Sequence, residues 1–208
     1  MYQVKVRVLK NEEVARGYFR LSLESPGVAE NAVPGQFVMV KVGGTNDPLL
    51  RRPFSIHRIL DSGIEILYKV IGKGTAMMAH IKTGEEVDII GPLGRGFNLN
   101  VNFQKAVIVG GGIGIAPLVG LAERLADKGK NITVFIGGRS KKDILCVDDF
   151  RKIGADVHIA TDDGSAGRKG FVTDYFLDVE PFLTSVAFAK HTNAELDMLF
   201  VCGPHIMA

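Results

Sequence analysis

The chain has 208 residues, of which 46% are hydrophobic and 23% charged, so its composition is neither that of a disordered segment nor that of a fibrous repeat. Its net charge is +2 and its lysines and arginines are scattered, which argues against a nucleic-acid partner. The longest apolar run, 106–121, is broken by glycines and Pro117, so we interpret it as a strand followed by a helix and not as a membrane span. The first residues, MYQVKVRVLK, lack the apolar core of a signal peptide, so a cytoplasmic protein is expected.

Short strands are predicted throughout the first half of the chain. Apolar residues alternate with polar ones at positions 4–8 and 19–23, which is the period of half-buried strands. Further strands are predicted at 36–42, 53–60, 64–70 and 86–90, with one short helix near 75–81. Turn signals such as SPG, VGG, DSG and KTG separate them, so we expect an N-terminal antiparallel Greek-key β-barrel over residues 1–100.

In the second half of the chain, the spacing of the apolar residues changes. The segments 106–109, 132–136, 157–160 and 198–201 are continuous apolar runs, typical of parallel strands that are buried on both faces. Leu118, Leu121, Ala122 and Leu125 recur at helical spacing between the first two runs. Alternating strands and helices predict a C-terminal α/β domain with a doubly wound parallel sheet over residues 101–208, with the boundary inside 98–105.

Three segments carry residues suited to phosphate binding. The turn GGGIGIAP, 110–117, follows the first parallel strand and lets phosphates approach the backbone at a helix start, although its match to GxGxxG is imperfect. In RRPFS, 51–55, a guanidinium can hold a pyrophosphate and a serine hydroxyl can bond a flavin edge. GKGT, 72–75, could cradle the same pyrophosphate, with Tyr68 against the ribityl chain or a ring. Each has an ordinary alternative: a tight turn without a ligand, an exposed basic pair, and a capped helix.

No metal site is predicted. The five histidines have no ligand spacing, and the two cysteines, Cys146 and Cys202, form no CxxC pair.

In this order the segments resemble the ferredoxin-reductase superfamily. Its members carry an RxYS or RxFS flavin motif, a glycine turn, a GGGxGxxP nicotinamide motif and a CGP, which match 52–55, 72–75, 110–117 and 202–204. Within it, the strings PLLRRPFSI, YKVIGKGT, GPLGRGF, VGGGIGIAPL and TDDGSAGRKGFVTD are similar to the electron-transfer subunits of NAD-dependent (class 1B) dihydroorotate dehydrogenases. The small subunits of NADH-dependent ferredoxin:NADP oxidoreductases and sulfide dehydrogenases share TDDGS and are the alternative family.

The resemblance implies two cofactor sites and two residues next to the chemistry. FAD would be held by Arg52, Pro53, Phe54, Ser55, Leu67, Tyr68, Lys69, Gly74 and Thr75. NAD would be held by Gly111, Gly112, Gly114, Pro117 and Gly203. Ser55 and Cys202 would act as catalytic residues, while Cys202 could equally be a small buried hydrophobe. Asp162 and Asp163 would lie beside the adenosine ribose or form a polar turn.

The implied function is an oxidoreductase subunit that passes electrons between NAD and an FMN-containing catalytic subunit, by way of a 2Fe-2S cluster and within a heterotetramer. Family members hold this cluster with cysteines after CGPxxM, so we expect a truncated chain and a cluster that these 208 residues cannot build. Arg139 and Ser140 could receive a 2′-phosphate, which leaves NADP open as well as NAD. A non-catalytic flavin-binding assembly subunit and a reductase of free flavin are the remaining alternatives.

Overall fold

Two compact units make up the chain, Met1–Phe97 and Asn98–Ala208. The computed structural model describes residues 2–43, 49–179 and 198–203. In these ranges no helix is both long and apolar enough to cross a membrane.

The first unit is built on one antiparallel sheet of seven strands in the order β4-β3-β7-β1-β2-β6-β5. The strands are β1 (Tyr2–Ala15), β2 (Tyr18–Glu24), β3 (Phe37–Lys41), β4 (Arg52–Ser55), β5 (Arg58–Leu60), β6 (Gly63–Lys69) and β7 (Glu86–Leu93). Helix α1 (Pro26–Asn31) connects β2 to β3, and α2 (Lys73–Met78) connects β6 to β7. These two connections carry the chain to non-neighbouring strands, which confirms the Greek-key topology.

The sheet curls because β4 and β5, at opposite ends of the strand order, are consecutive in the chain. Between them, Ile56 donates its N–H to the Gln36 carbonyl at 2.9 Å, and His57 donates to the Glu65 carbonyl at 2.7 Å. The two-residue link therefore bonds to both ends of the sheet. The strand predicted at 53–60 is wrong as a single element, since this link divides it into β4 and β5.

The core of the first unit comes from the alternating apolar residues that the sequence indicated. Its fully buried members include Val8, Leu21, Leu23, Val38, Val40, Ile64, Ile66 and Ile89. The prediction of one helix in this half is wrong, because α1 also forms. The SPG turn signal is the start of that helix, with Pro26 in its first turn, where a missing N–H costs no hydrogen bond.

The second unit is a parallel sheet of five strands in the order β11-β10-β9-β8-β12. The strands are β8 (Lys105–Gly111), β9 (Asn131–Gly138), β10 (Asp156–Thr161), β11 (Arg168–Lys169) and β12 (Met198–Cys202). Its helices are α3 (Ala116–Asp127), α4 (Val147–Lys152) and α5 (Val172–Val179), with single 3₁₀ turns at Gly112–Ile115 and Lys141–Asp143. The two-residue strand β11, too short and polar to show a period, was not predicted.

Helices cover both faces of this sheet. Val107 and Val109 of β8 pack with Phe176 of α5 in one buried cluster. Gly110 points the other way, where an added Cβ would lie 3.2 Å from the Leu118 side chain of α3. This arrangement confirms the predicted doubly wound sheet.

Candidate functional site

The RPFS segment is strand β4, and its four side chains alternate between two faces. β4 pairs with β3 through Val40 opposite Arg52 and Phe37 opposite Ser55. Phe54 is half-buried and packs edge-on against Tyr68, with ring centroids 5.9 Å apart. Pro53 and Ser55 are exposed. The strand therefore anchors itself by Phe54 and leaves the Ser55 hydroxyl accessible to a ligand.

Arg52 and Gly74, predicted to share one diphosphate, lie against each other. A Cβ added to Gly74 would lie 2.7 Å from Arg52 Nε and 3.2 Å from Arg52 Cζ. Arg52 also donates from Nη1 to the Leu50 carbonyl. A guanidinium beside backbone that carries no side chain is a surface that fits a pyrophosphate, because a fork of N–H donors matches its oxygens. The residues present thus fit FAD.

Thr75 has its hydroxyl fully engaged in shaping this turn. Its Oγ1 accepts hydrogen bonds from the N–H groups of Ile71 at 2.9 Å and Gly72 at 3.2 Å, and donates to the Gly72 carbonyl at 3.0 Å. Thr75 is 8% exposed. It holds the turn in shape, which places the buried Gly74 next to Arg52.

A Gly74→Ala substitution is expected to weaken FAD binding about tenfold while leaving the melting temperature nearly unchanged. The new methyl group meets the Arg52 side chain, which can move at little cost in stability but then leaves its position beside the turn. Equilibrium flavin titration and thermal unfolding of the same preparation measure both quantities. An unchanged FAD affinity would contradict the shared site.

Tyr68 lies inside the core. It is 1% exposed, its ring stacks on Phe19 with centroids 5.6 Å apart, and its hydroxyl donates to Asn11 Oδ1 at 3.2 Å. Burial raises the pKa of Tyr68 from 10.0 to about 12. Its neighbour Leu67 is also buried, while the ammonium of Lys69 lies 4.7 Å from the centre of the Tyr18 ring. The Tyr68 ring supports β4 through Phe54.

Replacing Tyr68 with phenylalanine is expected to keep FAD binding and to lower the free energy of unfolding by about 1 kcal/mol, the usual value of one hydrogen bond. Because the folded-state pKa is raised, the stability it provides is complete below about pH 10 and is lost as the pH rises through about 12. The variant should lack this alkaline loss. Denaturant unfolding at pH 8 and pH 11 tests it, and a large drop in flavin affinity would place the hydroxyl on the ligand instead.

In the second unit, the glycine turn and the end of the last strand come together. β8 ends at Gly111, Gly112 has φ +52, and α3 begins at Ala116 with Pro117 in its first turn. A Cβ on Gly114 would lie 2.6 Å from the Cys202 carbonyl oxygen and 2.7 Å from Gly203 Cα. These residues sit at the carboxyl ends of the adjacent strands β8 and β12, where open α/β sheets bind ligands. Pro204, part of the predicted CGP motif, lies outside the described residues.

Cys202 is a free, half-buried thiol. Burial raises the pKa of its thiol, so the side chain is neutral at physiological pH. A neutral Cys202 thiol could contact an uncharged ring of a ligand, and it could equally pack as a small hydrophobic side chain.

The TDDGS segment forms a hydrogen-bonded turn after β10. The N–H groups of Asp162 and Asp163 donate to the carbonyls of Gly138 and Arg139, and Asp163 Oδ1 accepts from the Ser165 N–H at 2.8 Å. Hydrogen bonds from Ser165 lower the pKa of Asp163. Both aspartates are exposed, and the Asp163 carboxylate stabilises its own turn.

The residues at hand do not fit an iron–sulfur cluster. Such a cluster takes four ligands, usually cysteines, and the chain has two cysteines. The described ranges also contain no group of three or more His, Cys, Asp or Glu side chains placed to hold a metal ion.

Two family models match the two units. Residues 5–97 match the oxidoreductase FAD-binding domain, and residues 108–208 match the oxidoreductase NAD-binding domain. The dihydroorotate dehydrogenase B (NAD(+)) electron transfer subunit of Desulforamulus reducens is 42% identical over 204 residues, which cover 97% of this chain and 73% of that protein. The chain belongs to the family of these electron transfer subunits. The Fusobacterium nucleatum electron transfer subunit is 37% identical and is matched over 74% of its length, with 95% of this chain covered.

Solved structures agree with this family. A structure of the NADH-dependent reduced ferredoxin-NADP oxidoreductase, described for flavin-based electron bifurcation, matches with a TM-score of 0.79 and 31% identity over 97% of this chain and 68% of that one. Ferredoxin-NADP+ reductase from Plasmodium falciparum matches with a TM-score of 0.80 at 14% identity, covering 99% of this chain and 88% of that chain. The second likeness shows that this chain has the ferredoxin-reductase fold.

Proposed function

We propose that this chain is the FAD-containing electron transfer subunit of an NAD-dependent dihydroorotate dehydrogenase, acting in the cytoplasm in pyrimidine biosynthesis. The observation that carries the proposal is the convergence of Arg52 on Gly74 in a chain of this family. Bound FAD would supply the conversion between the two-electron chemistry of a nicotinamide and the single electrons of a protein partner. The chain itself would bind the flavin and the nicotinamide and orient them.

In the first unit, Arg52 would neutralise the diphosphate of FAD, and Gly74 would let it approach the backbone. Exposed Ser55 would donate a hydrogen bond to the flavin edge from the open face of β4, next to Pro53. The remaining proposed contacts are Phe54, Leu67, Tyr68, Lys69 and Thr75, of which Tyr68 and Thr75 act by holding the strand and the turn in shape.

In the second unit, the dinucleotide would bind at the carboxyl ends of β8 and β12. Gly111, Gly112 and Gly114 would give its phosphates access to backbone N–H groups, and Pro117 starts the helix behind them. Neutral Cys202 and the neighbouring Gly203 would lie at the nicotinamide. A charged thiolate there would be a competing nucleophile, so the raised pKa of Cys202 suits this position.

The partner would be an FMN-containing catalytic subunit in a heterotetramer. A second candidate function is favoured by the match to the ferredoxin-NADP oxidoreductase structure, in which case the partner would be a subunit that handles ferredoxin. Anaerobic addition of dihydroorotate to the chain with its co-purified partner separates the two. Bleaching of the flavin band by dihydroorotate supports the first function, and bleaching by reduced ferredoxin but not by dihydroorotate supports the second.

Reduction of the flavin by nicotinamide is tested by rapid mixing of the purified chain with NADH. Bleaching of the visible band is expected, because that colour belongs to oxidised flavin. A chain that binds FAD but is not bleached would be a non-catalytic assembly subunit, and a colourless chain that reduces added flavin would be a reductase of free flavin. Parallel titration with NADPH decides between the two nicotinamide dinucleotides.

A further inference from the structure

The arginine before the flavin motif has a partly buried partner of its own. Arg51 donates from Nη1 to the backbone carbonyl of Asp88 at 2.9 Å and from Nη2 to Asp88 Oδ2 at 2.7 Å. The two side chains are 18% and 23% exposed, so the ion pair is largely shielded from solvent. Partly buried, charge-assisted hydrogen bonds of this kind hold geometry more firmly than fully exposed ion pairs.

This ion pair ties an end strand to the middle of the sheet. Within the described residues, β4 is the end strand of the sheet and pairs with β3, which pairs with β7. Arg52 pairs with Val40, and the next residue, Lys41, pairs with Asp88 of β7. Arg51 therefore reaches past β3 to the second strand, which fixes the start of β4 at a point where main-chain pairing has just begun.

The two consecutive arginines contact different parts of the unit. Arg51 bonds to Asp88, while Arg52 lies beside Gly74, as expected for neighbours at a strand start whose side chains point to opposite sides. Arg51 is thus occupied by protein and is not the group that meets the diphosphate. Arg51 would affect a ligand only indirectly, by fixing the direction in which the Arg52 side chain points.

We propose that the Arg51–Asp88 ion pair is the positioning device of the FAD site, holding the start of β4 so that the Arg52 guanidinium stays beside Gly74. The proposal rests on FAD being the ligand of this unit, as proposed above. Arg51 is here a positioning residue, since it contacts Asp88 and acts on the ligand only through Arg52.

The charges around Asp88 keep the Arg51–Asp88 ion pair intact at neutral pH. Besides Arg51, the carboxylate is opposite Lys41 of β3 and Lys5 of β1 in the strand register, with Gln3 of β1 also near. The hydrogen bond from Arg51 is the largest of the influences that lower the pKa of Asp88. The carboxylate therefore stays ionised at neutral pH, and the ion pair weakens only in acid.

The test compares FAD dissociation constants of the full chain and its variants, measured by reconstituting flavin-free protein and following flavin fluorescence. Arg51→Met removes both hydrogen bonds to Asp88 and is expected to raise the dissociation constant about tenfold. Asp88→Asn should raise it less, because it removes the ionic bond and leaves the bond from Arg51 to the backbone carbonyl of residue 88. The double variant should raise it no more than Arg51→Met alone, because both substitutions act on the same ion pair. Arg51→Lys should restore part of the affinity.

Arg58→Met is the matched control, because Arg58 forms another shielded ion pair, with Glu65 at 3.6 Å, in the same unit. It should lower the melting temperature without raising the FAD dissociation constant. An unchanged constant in Arg51→Met, additive effects in the double variant, or an equal rise in Arg58→Met would overturn the positioning role. If Arg51→Met does not fold, Arg51→Lys and Asp88→Asn carry the comparison. A wild-type chain without FAD affinity would instead refute the proposed function.

Discussion

An Arg52→Ala chain is expected to fold and to purify without flavin, with an affinity for FAD reduced roughly 100-fold or more, because a bidentate charged contact with the diphosphate is lost. The fold should survive, since Arg52 is only half-buried and its fixed contact is the nearby Leu50 carbonyl. Absorption at the visible flavin band and calorimetric titration with FAD measure the loss. Far-ultraviolet circular dichroism verifies that the strands remain.

Arg7→Ala is the control for removing one positive charge. Arg7 forms an exposed ion pair with Glu24, with side chains 60% and 40% exposed, far along the chain from the flavin motif. It should retain full flavin content and nearly full stability, because surface pairs contribute little. Equal flavin loss in both variants would mean that overall charge, and not the Arg52 position, controls binding.

Gly114→Ala is expected to lower the rate of flavin bleaching by NADH at least tenfold and to destabilise the second unit by about 1–3 kcal/mol, the usual cost of overpacking. The obstacle is backbone, since the new Cβ would meet the Cys202 carbonyl oxygen at 2.6 Å and Gly203 Cα at 2.7 Å. The turn and the end of β12 must therefore separate. Flavin content should be unchanged, because the first unit is untouched.

The control for this second substitution is Gly129→Ala, in the turn after α3. An added Cβ there meets nothing within 4 Å, but φ is +69, so the cost is backbone strain alone. It should destabilise the chain without slowing NADH-dependent bleaching beyond what the lost stability explains. Equal slowing in both variants would show that Gly114 acts through stability and not through the cleft at β8 and β12.

Most of the longer strands follow from the hydrophobic period of the sequence, because the spacing of their apolar residues matches the faces that they bury. β8 and β9 are apolar on both faces and lie inside the sheet, while β2 alternates and has one face in the core. The failures have local causes. The period through 53–60 continues across Ile56 and His57, yet both are buried where the chain crosses between the ends of the sheet.

The meeting of Arg52 with Gly74 was predictable because both belong to recognised phosphate-binding patterns. The contact between Arg51 and Asp88 was not predictable. The two residues are 37 positions apart, and nothing in the sequence around Asp88 identifies it as a partner for Arg51. The role of Thr75 was also hard to predict from the sequence. Its residue type suits a ligand contact and a turn equally well, and only the three hydrogen bonds of its hydroxyl show which role it has in the fold.

The pairing of β1 with β7 sets the order of events during synthesis of the chain. Tyr2 is opposite Gly91 and Arg7 is opposite Glu86, so the first half of β1 pairs with residues that the ribosome makes more than 75 residues later. β3 likewise bonds to β7, and Arg51 depends on Asp88 of the same strand. Because such distant contacts close slowly, we expect the flavin site to form only after β7 has emerged from the exit tunnel.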